Sequence, residues 1–237
     1  MALVCALTML PVPAASGAEL FATGRAPAAR GISRPDIERD LIPFGRRRSH
    51  QTAGYSLRHY GRRTFELAHP QVIVEHYTDG TSFEGAWNTF ASNARHLGEM
   101  PGTCTHFVID TDGSIHRLMR LDVRCRHAIG LNQTSIGIEH VGTSARTILH
   151  NRRMMRASLH LTLWLMQRFD VNVGNVIGHA ESLMSPYHRE RYPSWRCMTH
   201  RDWSHAEMQV FRRRLRDLAR ARGVRGGAGP AWEPDCA

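Results

Sequence analysis

Short apolar runs recur along this chain, and their spacing switches between the period of a strand and that of a helix. At 71–76 the sequence QVIVEH places Val72, Ile73 and Val74 in one continuous run, which reads as a buried strand closing at His76. Segments 105–110 and 114–119 are strand-like and joined by Thr111-Asp112-Gly113. An Asp-Gly pair between alternating segments signals a hairpin. SIGIEHVG at 135–142 reads as a further strand, with Ile136, Ile138 and His140 on one face and Gly137 and Glu139 on the other. The stretch 171–179 reads as another strand and closes at His179. Helical spacing appears in Phe83, Trp87 and Phe90, then in Leu159, Leu163 and Met166 within 155–169. It appears last in Met208, Phe211, Leu215 and Leu218, behind a Ser204-x-x-Glu207 capping box. Shorter helices are expected over 35–41 and over 52–60, the second ended by Gly61. Strands and helices interleave without an internal repeat. The expectation is an α/β fold, a central mixed β-sheet flanked by helices in a single domain.

The two ends read differently from the middle. Residues 1–18 hold an apolar run, then prolines, then Ser16 and Ala18 at small-x-small positions, and read as a signal peptide. The run is too short to span a membrane. No basic residue precedes it, so a plain tail is the other reading. Residues 19–70 read as an N-terminal arm with short helices, 71–222 as the main domain, and 223–237 as a disordered Gly- and Pro-rich tail.

Charge changes the picture modestly. The formal net charge is +10, and every one of the 31 basic residues is Arg. Such a balance favours polyanions in general. No aromatic-and-basic repeat or nucleic-acid signature accompanies it, so nucleic acid is not an expected partner. Five cysteines fit no paired zinc motif. Cys104 and Cys125 flank the hairpin and are either a disulfide of an exported protein or two buried thiols.

The candidate chemistry lies at strand ends. His76 and His179 close apolar strands, and Glu139 interrupts one. Beyond His179, a polar loop returns Cys197, His200 and Asp202 within six residues. Imidazoles and a carboxylate suit zinc, and three protein ligands leave a position for water. The bland readings are backbone-bonded histidines and a Glu139 paired with one of the many arginines.

Five blocks in order carry a resemblance: IVEHYT at 73–78, THFVIDTDG at 105–113, RHAIGLNQTSIGIEHVG at 126–142, IGHAES at 177–182 and THRDW at 199–203. Over about 72–214 the chain resembles the zinc-dependent N-acetylmuramoyl-L-alanine amidases, the family of phage lysozyme-type amidases and peptidoglycan recognition proteins. The resemblance implies an amidase catalytic domain over 71–222 with Zn2+ held by His76, His179 and Asp202. Cys197 is a competing ligand that lies upstream of the T-H-x-D alignment. It implies Glu139 as general base and His200, where a Lys is frequent, as the group that stabilises an oxyanion. His127 falls at the cleft rim beside substrate. Thr105 occupies a substrate-side position that is aromatic in many relatives. The implied reaction is hydrolysis of the amide between N-acetylmuramic acid and L-alanine in peptidoglycan or muropeptides, by an exported protein taken as a monomer. The alternative is a non-catalytic peptidoglycan-binding protein, which usually lacks a ligand. Two departures stand out: D-W-S replaces D-P-G after the third ligand, and the loop from His179 to Asp202 is long.

Overall fold

The computed structural model of the chain describes residues 31–224 and Cys236. Its strands are β1 (Glu38–Arg39), β2 (Val72–Tyr77), β3 (Phe107–Ile109), β4 (Ile115–Arg117), β5 (Ser135–His140) and β6 (Val176–Gly178). They form one sheet in the order β1-β4-β3-β5-β2-β6. β2 pairs in parallel with both β5 and β6, and β3 pairs in parallel with β5. β4 returns antiparallel to β3 through the Asp-Gly turn, where Gly113 takes a φ of +92°. Parallel neighbours need long crossovers, and helices supply them. α2 (Phe83–Ala91) lies between β2 and β3, while α3 (Ala145–His150) and α4 (Arg152–Phe169) lie between β5 and β6. α5 (His205–Ala221) closes the domain behind the expected capping box, which both Ser204 and Glu207 complete.

The apolar run of β2 is continuous because both faces of the strand are covered. On one face Ile73 joins Phe107, Ile136 and Ile138 in a large core completed by Leu161, Leu165, Phe211 and Leu215 from α4 and α5. On the other, Val72 and Val74 join Ala128, Leu131 and Ile177 in a small core. The β2–β5 register puts His76 opposite Glu139, so both belong to the small-core face. The sequence-level split of β5 into two faces therefore holds.

Several expectations change. The helix expected over 35–41 is absent, and Glu38–Arg39 instead pairs with β4 as an edge strand. α1 runs Arg46–Tyr60, six residues earlier than the apolar pattern showed. Its first turns are polar and anchored by a buried arginine: Arg48 donates to the carbonyls of Phe90 and Thr103. Glu38–Arg39 and α1 are thus bonded to the sheet and its flanking segments through β4 and Arg48. The strand expected over 171–179 is confined to Val176–Gly178, preceded by a 3-10 turn at Val173–Asn175. The loop from His179 to Asp202 contains 3-10 turns at His179–Met184 and Pro193–Trp195. The expected leader at 1–18 and most of 223–237 lie outside the described residues.

Among the described residues two disulfides are present, Cys104–Cys125 and Cys197–Cys236. The second removes Cys197 from the competing ligands. α5 is fixed by a buried ion pair: Arg212 donates from Nη1 and Nη2 to both carboxylate oxygens of Glu181, at 2.6 and 2.8 Å. Glu181 also accepts from the backbone amide of Gly178 and from His205. At the sheet centre, His106 completes the β3–β5 ladder with its side chain. Its Nδ1 accepts from the amide of Gly137, and its Nε2 donates to the carbonyl of Val123. That arrangement requires a neutral ring, and burial lowers its pKa from 6.5 to about 4.

Two outcomes follow from these buried groups. Replacing Arg212 with Met strands the Glu181 carboxylate in the core, and denaturant unfolding is expected to show a loss of about 3–5 kcal/mol. A loss below about 1 kcal/mol would mean that the pair is solvated. For His106, the unfolded ring binds a proton below about 6.5 and the folded ring only below about 4. Stability therefore rises with pH across that window and falls as the medium is acidified. Unfolding measured from pH 4 to 7 is expected to lose about one proton of pH dependence in His106→Gln. An unchanged slope counts against the neutral buried ring.

Candidate metal centre and cleft

Three neighbouring strands end at one place. His76 is the penultimate residue of β2, Glu139 lies opposite it on β5, and His179 follows directly after β6. Ligand sites in open α/β sheets gather at such carboxyl ends. The His76 and His179 rings meet edge to face, with centroids 4.6 Å apart. Asp202 arrives from the segment before α5. Its Oδ2 accepts from His76 Nδ1 at 3.0 Å, and its Oδ1 lies 3.0 Å from His179 Nδ1.

The backbone explains why Asp202 arrives there. The amide of Ala180 donates to the Asp202 carbonyl at 3.1 Å. Trp203 is fully buried and donates from Nε1 to the His76 carbonyl at 3.0 Å. The tryptophan of the unusual D-W-S thus pins the third element to the first. A Cβ on Gly178 would lie 2.0 Å from the Trp203 carbonyl oxygen, so the residue before His179 is glycine because the chain passes against it.

The expected ligands His76, His179 and Asp202 are therefore brought together, each offering one atom within 4.8 Å of the others. His76 and Asp202 are buried, and His179 is partly open to solvent. Burial alone would raise the Asp202 pKa, yet hydrogen bonds from His179, His200 and His76 outweigh it and hold the carboxylate below its ordinary range. His76 is lowered by burial, against the pull of Asp202, and so favours the neutral imidazole that a metal requires. Glu139 carries the opposite shift. Burial and the nearby charge of Asp202 raise its pKa well above the usual value. Its Oε2 is buried without a hydrogen-bond partner. An orphaned carboxyl oxygen beside two imidazoles and a carboxylate fits a divalent cation, and the N2O donor set suits zinc.

His200 sits at the mouth with its side chain 72% exposed, and its Nδ1 donates to Asp202 Oδ1 at 2.7 Å. That bond raises its pKa. His127 lies deeper: its Nδ1 is 3.0 Å from His76 Nε2, and its Nε2 is 3.2 Å from the Ser135 hydroxyl. Burial, reinforced by the neighbouring His76, His106 and His179, lowers its pKa well below 6.5. His127, His179 and His200 line a cleft of about 230 Å³ whose walls include Leu97, Ile129 and Met198. Thr105 does not reach it. That residue is fully buried, and its hydroxyl donates to the Phe107 carbonyl, which corrects the substrate-side expectation.

Three further residues shape the site without having been given a role in the sequence. Asn132 Oδ1 accepts from the amides of His127 and Ala128 and sets the turn that aims His127. Arg126 donates to the carbonyls of His96, Glu99 and Pro101, holding the wall that carries Leu97. Trp203 is the third. Asn132 and Arg126 fall inside the RHAIGLN block, which was the available signal; the targets of Asn132 are local amides, whereas those of Arg126 are carbonyls distant in sequence.

The sequence profile of the N-acetylmuramoyl-L-alanine amidases matches residues 66–193. No curated protein matches the chain. Among solved structures, it is similar to the endolysin N-acetylmuramoyl-L-alanine amidase LysCS from Clostridium intestinale. That likeness has 21% identity and a TM-score of 0.47, over 63% of this chain and 84% of the other. It is also similar to the amidase AmiD from E. coli, solved with anhydro-N-acetylmuramic acid-L-Ala-D-gamma-Glu-L-Lys. There the identity is 20% and the TM-score 0.39, over 48% of this chain and 50% of that one. Apis mellifera PGRP-SA matches at 20% identity and a TM-score of 0.37, over 48% and 73% of the two chains. The profile match spans β2, β5 and β6 with His76, Glu139 and His179, stopping short of Asp202, and it covers more than half of the chain. On that match the chain belongs to the N-acetylmuramoyl-L-alanine amidase family and is an amidase of that class.

Proposed function

We propose that the protein is a zinc-dependent hydrolase that cuts the amide between N-acetylmuramic acid and L-alanine in peptidoglycan or its soluble fragments. The observation that carries this reading is the meeting of His76, His179 and Asp202 beside the unpaired carboxyl of Glu139. A zinc ion held by those three residues would supply Lewis acidity, polarising a carbonyl and bringing the pKa of a water towards neutrality.

The chain's own groups divide the remaining work. Glu139, aimed into the site and bonded to nothing, is the group to take a proton from the attacking water at Oε2 and return it to the leaving amine. A metal on His76 Nδ1 would take the place of the proton that this nitrogen gives Asp202 and leave the ring proton on Nε2, where it would donate to His127 Nδ1. Such a partner fixes the tautomer and orientation of a ligating imidazole. His127 is thereby a positioning residue as well as part of the cleft wall. His200 keeps Nδ1 on Asp202 and is the candidate to stabilise the developing oxyanion from its other nitrogen. The apolar wall residues exclude water around the scissile bond. A purely binding role has less support, because the ligand set is complete and Glu139 is unpaired.

Two disulfides support a protein that works outside a reducing compartment, in keeping with an exported cell-wall enzyme. Among the described residues no helix is long and apolar enough to cross a membrane.

The test is mass analysis of products released from purified peptidoglycan. Free L-alanine amino termini on stem peptides are expected, their release stopped by a chelator and restored by zinc. Products unaffected by metal removal would overturn the zinc dependence. His179→Ala is expected to lose both bound zinc and activity while staying folded. Glu139→Gln is expected to keep zinc and lose about 10²–10⁴-fold in turnover. Normal turnover in that variant removes Glu139 from proton transfer.

A further inference from the structure

Arg39 and Arg117 lie opposite one another at the open edge of the sheet, on the side away from the cleft, with Arg34 and Arg168 within electrostatic reach of Arg117. β1 is the edge strand, and its Arg39 lies opposite Arg117 of β4. Arg117 in turn lies opposite Phe107, whose face of the sheet is the large-core face packed by α4. The last turn of α4 brings Arg168 to that side, its guanidinium over the rings of Trp164 and Phe169 at 5.6 and 5.4 Å. Residues 31–34 are laid on the same turns. The amide of Ile32 donates to Gln167 Oε1 at 2.6 Å, His160 Nε2 donates to the Ser33 carbonyl at 3.0 Å, and Arg34 comes next.

Among the described residues, no carboxylate forms an ion pair with any of the four. Arg34, Arg39 and Arg168 are exposed and Arg117 is half-buried. Among the described residues, the arginines in ion pairs are Arg58, Arg120, Arg212 and Arg220, so none of these four is in one. The Nε of Arg117 is buried with no hydrogen-bond partner. Burial, and then the charges of Arg39, Arg34 and Arg168, lower the Arg117 pKa, with no carboxylate acting against them. Like charges placed directly opposite across strands cost stability. A carboxylate satisfies one guanidinium fork, whereas a phosphate group offers three oxygens and up to two charges to several.

We propose that Arg34, Arg39, Arg117 and Arg168 form a binding site for a phosphate group, separate from the catalytic cleft. The phosphate is either the free ion or the headgroup of a lipid, and the chemistry of recognition is the same. The inference does not rest on the amidase reading. The measurement uses the full chain and calorimetric titration with inorganic phosphate at fixed ionic strength, with sodium chloride as the reference. Saturable binding and a rise in Tm over chloride are expected, since a ligand of the folded state stabilises it. The double variant Arg39→Gln/Arg168→Gln changes two exposed side chains and is expected to bind about tenfold more weakly. Arg152→Gln/Arg213→Gln removes the same charge from exposed positions elsewhere and is expected to bind as the parent does. Hydrolysis of soluble muropeptides should be unchanged in both. Vesicles containing phosphatidic acid identify the source: competition with inorganic phosphate assigns a headgroup, and its absence assigns the free ion. Equal weakening in the two double variants, or no saturable binding in the parent, overturns the proposal.

Discussion

One carboxylate bonded to three imidazoles organises the site. Asp202 meets His76 through Oδ2, and His179 and His200 through Oδ1, at 2.7–3.0 Å. Burying an anion costs several kcal/mol unless it is paired and bonded, and these contacts offset that cost. The same negative charge falls on Glu139, which has no partner of its own and is driven towards the neutral form. Two nearby carboxyls are thus pushed apart in pKa, one held ionised and one held protonated. A dication held by His76, His179 and Asp202 would act on both in one direction, favouring the ionised form of each, and would thereby couple the protonation of Glu139 to metal binding.

That arrangement survives only if β2 is held at a fixed height against its neighbours, and a layer of buried polar groups behind it does so. The His76 carbonyl is bonded by the ring of His140 from β5 and by the indole of Trp203. The far nitrogen of His140 meets the Ser158 hydroxyl, and the Thr162 hydroxyl donates to Glu75 Oε1, tying β2 and β5 to α4. Burial pushes the Glu75 carboxyl up to about 8 and the His140 ring down to about 4, so both groups are neutral where they lie. A neutral layer costs less to bury than a charged one. The ionised anchor is kept one element away, where Arg212 grips Glu181 two residues past His179.

Whatever depends on strand alternation was legible in the chain. Glu139 and His140 are adjacent yet serve opposite faces, and the period of two assigns them correctly before any coordinates. His76 and His179 were legible as the polar ends of apolar strands, and the hairpin and the last capping box were legible from their turn and cap residues. What stayed hidden rests on polar contacts distant in sequence. The first turns of α1 carry no apolar stripe, because Arg48 anchors them through carbonyls some forty and more residues away. β1 is two residues long, below the length at which a pattern exists, and it is defined only by its partner. Thr105 was placed beside substrate by likeness alone, and its own neighbours bury it. The partner of Cys197 lies in a tail whose composition gave no reason to expect a contact with the cleft loop.

The two faces of the sheet carry different polar groups. Around the candidate metal centre, burial holds the imidazoles of His76 and His127 towards the neutral form. At the sheet edge on the large-core face, Arg39 lies opposite Arg117, and among the described residues none of the four arginines there is in an ion pair. The exclusive use of Arg as the basic residue does not by itself place Arg39 opposite Arg117, since scattered exposed arginines would lower the repulsion. The stretch 140–169 holds five arginines and no Asp or Glu, and it supplies the helix that carries Arg168. Composition therefore sets the net charge of +10, whereas pairing of β1 with β4 and the path of residues 31–34 set where part of it is concentrated. Residues 31–39, within the expected N-terminal arm with short helices, supply Arg34 and Arg39, two of the four arginines at that edge.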